Sequence, residues 1–158
     1  MSSEIRLPHL TPAGDAHMVD VSAKDVTQRT ASAEAIVALT DPTAEALFGG
    51  TLPKGDALAA IRLAGIMGVK RTPELIPLCH PLPIDAAEVS VMRIDGGARI
   101  VADVTTTART GVEMEAMTAA SVAALTLYDM VKGIERGVEI RSVRLLHKAG
   151  GRSGTWER

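Results

Sequence analysis

Aromatic side chains are almost absent from this chain of 158 residues, making up only 2% of it. They are Phe48, Tyr128 and Trp156. Because many single-strand-binding proteins stack bases on aromatic rings, this scarcity argues against a nucleic-acid platform. Hydrophobic residues still make up 46% of the chain, so the core must consist of Ala, Val, Leu, Ile and Met. Such small side chains bury little area each, which favours oligomerisation.

The chain is also poor in cysteine, in excess charge and in long apolar runs. Cys79 is the only cysteine, so no internal disulfide can form and a reducing compartment fits. The formal net charge is −2, whereas domains that bind nucleic acid through phosphate attraction are usually strongly basic. No run approaches the roughly 20 apolar residues that span a bilayer, and the N-terminus does not resemble a signal peptide. We expect a cytoplasmic protein that binds neither nucleic acid nor membrane.

The order of patterns along the chain predicts one α+β domain. Residues 1–16 show no period and predict a flexible N-terminal arm, residues 17–147 the single domain, and residues 148–158 a glycine-rich C-terminal tail. The expected architecture is an antiparallel sheet of about four strands with helices packed on one face.

Alternation of side chains marks the strands. HMVDVS (17–22) is a short strand candidate, and residues 27–39 place small or apolar side chains at every second position. Asp95-Gly96 lies between two alternating segments and predicts a hairpin. A last strand is expected at about 137–146.

Capping residues mark the helices. Asp41, followed by a proline, predicts the N-cap of a short helix, and Asp56 that of a second helix. Thr110 and Glu113 fit a capping box, with a long helix running from there to about Gly133. One broad apolar face of this helix should pack on the sheet. Its members are Ala116, Ala119, Ala120, Ala123, Ala124, Leu127, Met130, Val131 and Ile134.

A proline-rich segment at residues 72–84 is the first candidate site. Its four prolines predict a stiff loop and no helix, and long loops inside compact domains tend to be functional. The loop carries Cys79 and His80. An apolar flank raises the pKa of a thiol, which disfavours Cys79 as a nucleophile. A zinc site is also disfavoured, because no further cysteine or suitably spaced histidine would complete it. His80 fits either an acid–base or ligand-binding imidazole or a structural histidine.

The long helix provides the second candidate. Asp129 and Lys132 are three residues apart and can form an ion pair, on or beside a narrow stripe that also contains Glu115 and Thr118. This stripe is either a solvated face with an exposed pair or a carboxylate that positions an ammonium for proton transfer or phosphate binding.

Basic residues also collect where turns are expected. They are Lys54, Lys70, Arg71, Lys148 and Arg152. These residues are either ordinary loop cations or an anion site, in which nearby glycines bring backbone N–H groups close to a phosphate. Neither a P-loop nor a GxGxxG dinucleotide motif occurs.

Six segments together resemble the MoaC family of molybdenum cofactor biosynthesis proteins, from about residue 9 to near the end of the chain. They are HMVDVS (17–22), KGD (54–56), AGI…KRT (64–72), LIPLCHPL (75–82), TGVEMEAMTAASVAALTLYDMVK (110–132) and VRLLHKAGGRSG (143–154). The LCHP loop and the GVEMEA…YDM.K helix are highly specific in combination.

The resemblance implies a ferredoxin-like fold and a phosphorus–oxygen lyase activity. The expected reaction converts 3′,8-cyclo-7,8-dihydroguanosine 5′-triphosphate, made by a radical-SAM enzyme, to cyclic pyranopterin monophosphate with release of pyrophosphate. Because this chemistry is non-redox, no flavin or nicotinamide cofactor is expected, and no metal site is predicted among the protein's residues. The resemblance also implies a homohexamer, a trimer of dimers, with active sites between subunits. A non-catalytic ferredoxin-like module that binds a nucleotide and regulates a partner is the alternative.

The resemblance also assigns site residues. Asp129 and Lys132 match the family's catalytic pair. The substrate contacts that it implies are Leu78, Cys79, His80, Glu113, Met114, Glu115, Lys54 and Lys148, with Lys70 and Arg29 as further matches. Ala149 and Arg152 depart from the KSGGKSG pattern expected of the family, which bears on contacts of the tail.

Overall fold

Five strands and three helices occupy residues 10–158, the part of the chain that this computed structural model describes. In chain order they are β1 (Thr27–Ala38), α1 (Asp41–Phe48), α2 (Ala57–Leu75), β2 (Ala86–Ile94), β3 (Gly97–Ala108), α3 (Glu113–Val131), β4 (Glu139–Ala149) and β5 (Trp156–Glu157). The strands form one sheet in the order β2-β3-β1-β4-β5, and every neighbouring pair is antiparallel. The predicted α+β class is confirmed, with five strands rather than about four.

The core lies between the sheet and α3, and it consists of small side chains as predicted. Alternate residues of β1, from Ala31 to Val37, are at most 3% exposed. Seven residues of the predicted face of α3 are fully buried, namely Ala116, Ala119, Ala120, Ala123, Ala124, Leu127 and Val131. Ile134, which was predicted to belong to this face, is half exposed because α3 ends at Val131.

Glycines bring α2 close to the sheet and to α3. A Cβ at Gly65 would lie 2.9 Å from Val89 Cγ2 and 3.2 Å from the Ala119 carbonyl oxygen, while Gly68 faces Val122. These contacts hold α2 and α3 side by side. Lys54, before α2, contacts Asp129 near the C-terminal end of α3, and the loop after α2 lines a cavity with the first turn of α3, so the two helices run in opposite directions.

The sheet face opposite the helices carries a buried carboxylate. Glu34 on β1 is 2% exposed and accepts hydrogen bonds from Arg99 on β3 at 2.5 Å and Arg144 on β4 at 2.6 Å. Burial alone would raise the pKa of Glu34, but the hydrogen bonds from the two guanidinium groups outweigh it and lower the pKa. The triad ties the three central strands together.

The predicted strand at residues 17–22 does not form. This segment runs without regular structure, and the Ser22 N–H donates a 2.8 Å hydrogen bond to Asp20 Oδ1. Such local side-chain bonds compete with the strand ladder, so the alternation of HMVDVS was misleading.

The expectation that residues 72–84 contain no helix is wrong for the first turn. α2 continues through Pro73 to Leu75, and the Ile76 N–H closes its end on the Thr72 carbonyl at 2.9 Å. Thr72 Oγ1 also donates to the Gly68 carbonyl. Proline removes one donor at the helix end, and these bonds together with the burial of Thr72 offset that loss.

The caps of the first two helices follow the sequence closely. Asp56 Oδ1 accepts a 3.0 Å hydrogen bond from the Ala59 N–H, which confirms it as the N-cap of α2. α1 begins at Asp41 itself, one residue earlier than predicted, so Thr40 is its N-cap.

Both ends of the domain fold back on themselves. The predicted arm falls mostly on residues 1–9, which lie outside the described residues, and Leu10 forms an isolated bridge with Ala16. At the other end, β5 pairs with β4 through His147 and Lys148. No helix within residues 10–158 is both long and apolar enough to cross a membrane.

Candidate active site

A cavity of about 380 Å³ opens where the proline-rich loop meets the first turns of α3. Six of the residues predicted to contact substrate line it: Leu78, Cys79, His80, Glu113, Met114 and Glu115. We call this space the loop cavity. Its other lining residues are Val19, Val21, Lys24, Leu82, Thr110 and Gly111.

Glu113 has a different role from the one that the capping box predicted. α3 begins at Glu113, after Val112, and no side chain caps it. The carboxylate instead accepts a 2.8 Å hydrogen bond from Lys148 Nζ, which brings a cation from β4 to the loop cavity. Gly111 makes room for this arrangement, because a Cβ there would overlap the Glu113 carboxylate.

Glu115 is the unusual acid of the site. It is 3% exposed, and burial raises its pKa to about 7, with the nearby charge of Glu113 adding to the rise and a backbone hydrogen bond opposing it. Lys148 pairs with Glu113 rather than with Glu115. Two carboxyl groups on one helical turn are thus placed in different environments, the pattern that separates an acid from a base in enzyme sites.

The thiol of Cys79 has little nucleophilic character. Burial, and next the charge of Glu115, raise its pKa, so it stays protonated near neutral pH. This agrees with the sequence argument against a nucleophile.

The raised pKa of Glu115 predicts how the stability of the protein depends on pH. The folded protein keeps this proton up to about pH 7, whereas the unfolded chain releases it near 4.5. The unfolded state binds fewer protons in this window, so the free energy of unfolding falls as pH rises from about 4.5 to about 7. Glu115→Gln removes this titration. Between pH 4.5 and pH 8, its free energy of unfolding should therefore rise by up to about 3 kcal/mol relative to that of the wild type.

Urea denaturation at the two pH values measures this difference. Glu139→Gln, at an exposed carboxylate on β4, is the matched control and should follow the wild-type dependence on pH. An identical pH dependence in the wild type and Glu115→Gln would mean that Glu115 ionises normally.

Asp129 and Lys132 form the predicted pair at the opposite end of α3. Lys132 Nζ lies 2.6 Å from Asp129 Oδ1, and Lys54 Nζ lies 3.0 Å from Oδ2. We call these three residues the ion-pair cluster. Their side chains are 42–54% exposed in the single chain.

The charges in this cluster hold one another in the ionised state. Lys132 and then Lys54 lower the pKa of Asp129, and Asp129 raises the pKa of Lys132. In the single chain, Lys132 is therefore a stable cation in contact with a carboxylate.

The two groups of residues do not meet within one chain. Glu115 and Asp129 are separated by fourteen residues of continuous helix, or about 21 Å at 1.5 Å per residue. His80 lies with Glu115, and the ion-pair cluster lies at the far end. One chain therefore presents two separate groups of candidate residues at opposite ends of a single helix, and we use the label half-sites for these two groups.

The remaining predicted residues lie apart from both half-sites. Arg29 donates from Nε to the Ala108 carbonyl at 3.1 Å and lines a neighbouring cleft. Lys70 is exposed on α2 and makes no ion pair with any described residue. Sequence reasoning missed Lys24, although it stands just two residues beyond the HMVDVS segment.

The match to known proteins covers almost all of these residues. The model of the MoaC family matches residues 18–151, which include both half-sites. This chain belongs to the MoaC family. No cluster of three potential metal ligands occurs among residues 10–158.

Several relatives of this MoaC chain carry the name cyclic pyranopterin monophosphate synthase. The protein of Streptomyces avermitilis is 56% identical over 97% of this chain and 90% of its own length. That of Corynebacterium glutamicum (strain R) is 51% identical over 96% and 97% of the two chains. The Deinococcus radiodurans protein is 54% identical over 95% and 90%.

Proposed function

We propose that this MoaC protein is a cyclic pyranopterin monophosphate synthase of molybdenum cofactor biosynthesis. It converts 3′,8-cyclo-7,8-dihydroguanosine 5′-triphosphate to cyclic pyranopterin monophosphate and pyrophosphate, as a phosphorus–oxygen lyase. The near full-length similarity to relatives of that name is the observation that carries the proposal. The substrate comes from a radical-SAM enzyme, and the protein works in the cytoplasm.

The chemistry of the two half-sites suits this reaction. Turnover requires opening of the purine ring, closure of the pyranopterin ring and attack of a ribose oxygen on the α-phosphorus with loss of pyrophosphate. The first two steps move protons at a heterocycle, for which Glu115 has a pKa near the working pH. The last step develops negative charge on phosphate oxygens, and the ammonium groups of Lys54, Lys132 and Lys148 can stabilise it.

Catalysis by both half-sites requires more than one copy of the chain. We infer that the ion-pair cluster of one subunit faces the loop cavity of another, in a homohexamer built as a trimer of dimers. The 21 Å separation within one chain supports this arrangement. So does the helical surface between the half-sites, where Leu63, Met67 and Leu125 are 53–62% exposed, an apolar surface typical of subunit contacts.

Incubation of the purified protein with the cyclised nucleotide tests the function. We expect one pyrophosphate released for each cyclic pyranopterin monophosphate formed, measured by a coupled pyrophosphate assay and by mass spectrometry. Binding of the nucleotide without release of pyrophosphate would instead identify a regulatory nucleotide-binding module and overturn the proposal.

A further inference from the structure

The turn that follows α3 carries a carboxylate that belongs to neither half-site. Lys132 is the C-cap of α3, and the chain turns at residues 132–136 directly after the helix. The Ile134 and Glu135 N–H groups both donate to the Val131 carbonyl, at 2.9 and 3.0 Å. We call residues 132–136 the α3 turn. The position of this turn sets the position of Lys132, whose side chain forms its one ion pair among residues 10–158 with Asp129.

Glu135 attaches the α3 turn to the start of α1. Its Oε2 accepts hydrogen bonds from the Thr40 N–H at 3.1 Å and from Thr40 Oγ1 at 2.9 Å, although the two residues are 95 positions apart in the chain. Thr40 is the N-cap of α1, and its own side chain does not cap the helix. The Glu135 carboxylate therefore satisfies a backbone donor at this helix end, and the helix dipole favours its negative charge there.

The Glu135 carboxylate is ionised at neutral pH. Burial alone would raise its pKa, but hydrogen bonds from Thr43 and Thr40 outweigh the burial and lower the pKa. Thr43 is itself 3% exposed, and its Oγ1 lies 3.1 Å from Thr40 Oγ1. Hydrogen bonds to an ionised group are about twice as strong as bonds between neutral groups. The contact between Glu135 and Thr40 is therefore a firm attachment of the α3 turn.

The segment between β1 and α2 contacts the end of α3 at two points. Before α1, Thr40 binds Glu135. After α1, Lys54 Nζ lies 3.0 Å from Asp129 Oδ2 and donates a 2.5 Å hydrogen bond to the Asp129 carbonyl. α1 itself has only eight residues, and helices of this length are marginal without tertiary contacts. The contact at Thr40, at one end of the segment, therefore also helps to fix Lys54 at the other end.

We propose that Glu135 is a positioning residue for the ion-pair cluster, which acts through Thr40 to hold the α3 turn, and with it Lys132, in the place that turnover requires. This proposal rests on the proposed function for the role of Lys132. Glu135 forms no hydrogen bond or ion pair with any of the three residues of the cluster, so its effect on turnover passes through their positions. Misplacement of a reacting group by about 1 Å can lower turnover about a hundredfold.

Steady-state kinetics of pyrophosphate release measures the effect of Glu135 on turnover. Glu135→Ala removes every acceptor for Thr40 and should lower kcat by at least about tenfold. KM should stay within about threefold of the wild type, because the residues of the loop cavity still bind substrate. Glu135→Gln keeps a carbonyl oxygen as acceptor for the Thr40 N–H and should restore kcat to within about threefold of the wild type. Glu139→Ala removes an exposed carboxylate of β4 that pairs with Arg141, and it should keep the wild-type kcat.

An NMR measurement tests the same positioning without turnover. In protein labelled with carbon-13 at lysine Cε, the resonance of Lys132 is identified by its loss in Lys132→Arg. This resonance should shift in Glu135→Ala, because the contact between Lys132 and Asp129 changes, and it should stay in place in Glu135→Gln and Glu139→Ala. Circular dichroism checks that all variants remain folded.

An unchanged kcat in Glu135→Ala, or an unmoved Lys132 resonance, would overturn the positioning role. A loss of kcat that Glu135→Gln fails to restore would also overturn it, because the charge of the carboxylate and not its hydrogen bonds would then be needed. If Glu135→Ala does not fold, Thr40→Val takes its place. This variant removes the hydroxyl donor alone and should lower kcat about threefold, and an unchanged kcat in it would reject the positioning role.

The outcome separates from that of the proposed function. Wild-type turnover in folded Glu135→Ala rejects the positioning role alone. A Lys132 resonance that shifts in Glu135→Ala, in a protein whose wild type forms no pyranopterin, rejects the function alone.

Discussion

Lys132→Ala is expected to abolish formation of cyclic pyranopterin monophosphate while the protein stays folded. Lys132 holds the carboxylate of Asp129 at 2.6 Å and is the one ammonium that α3 itself contributes through its C-cap. Loss of a group that transfers protons or stabilises phosphate charge lowers turnover by at least about a hundredfold. Pyrophosphate release at saturating substrate measures the effect.

The half-exposed position of Lys132 makes this variant a clean test. An exposed ion pair contributes little to the free energy of unfolding because solvent screens it, so thermal unfolding should change little. Arg141→Ala removes a comparable exposed cation on β4 and should retain full turnover. Turnover within threefold of the wild type in Lys132→Ala would remove this lysine from the catalytic machinery.

Two inactive variants are expected to restore each other's activity when their subunits are exchanged. Lys132→Ala damages the ion-pair cluster, and His80→Ala damages the loop cavity. If each active site takes one half-site from each of two copies, random mixing in equal amounts leaves about one quarter of the sites with both halves intact. The mixture should therefore show about one quarter of the wild-type turnover.

The exchange experiment also tests the separation of about 21 Å that α3 imposes between the half-sites. Subunits are exchanged by mild denaturation and refolding of the mixture, with each variant treated alone as the control. A site contained in a single chain would leave the mixture as inactive as its components. Such a result would contradict the shared site and require a large rearrangement within one subunit.

Local sequence patterns predicted much of the architecture. The alternation in residues 27–39, the turn at Asp95-Gly96 and the alanine face of α3 each matched the structure, because one buried face is enough to fix strand or helix periodicity. The patterns failed where a local interaction competed with them. Asp20 bonds its own backbone neighbour in place of a strand partner.

The capping box shows a second kind of failure. Thr110 and Glu113 fit the motif by spacing, but the Glu113 carboxylate instead accepts a hydrogen bond from Lys148, which lies 35 positions later on strand β4. A motif read along the chain takes no account of a distant partner in space. Pairing of that kind depends on the register of β4 against β1, which no short pattern encodes.

The candidate site, like the fold, was predicted from the sequence only in part. Residue types and motifs singled out His80 and the pair Asp129 and Lys132 as candidates, and the resemblance to the MoaC family added the two glutamates of α3. Only the tertiary structure decided that these residues form two separate groups, that Lys24 lines the loop cavity, and that Glu115 titrates near neutral pH. The physical reason is that the burial of a side chain, the shape of a cavity and the distance between residues arise from the packing of elements that are distant in sequence. The chemistry of each side chain, in contrast, is given directly by the sequence.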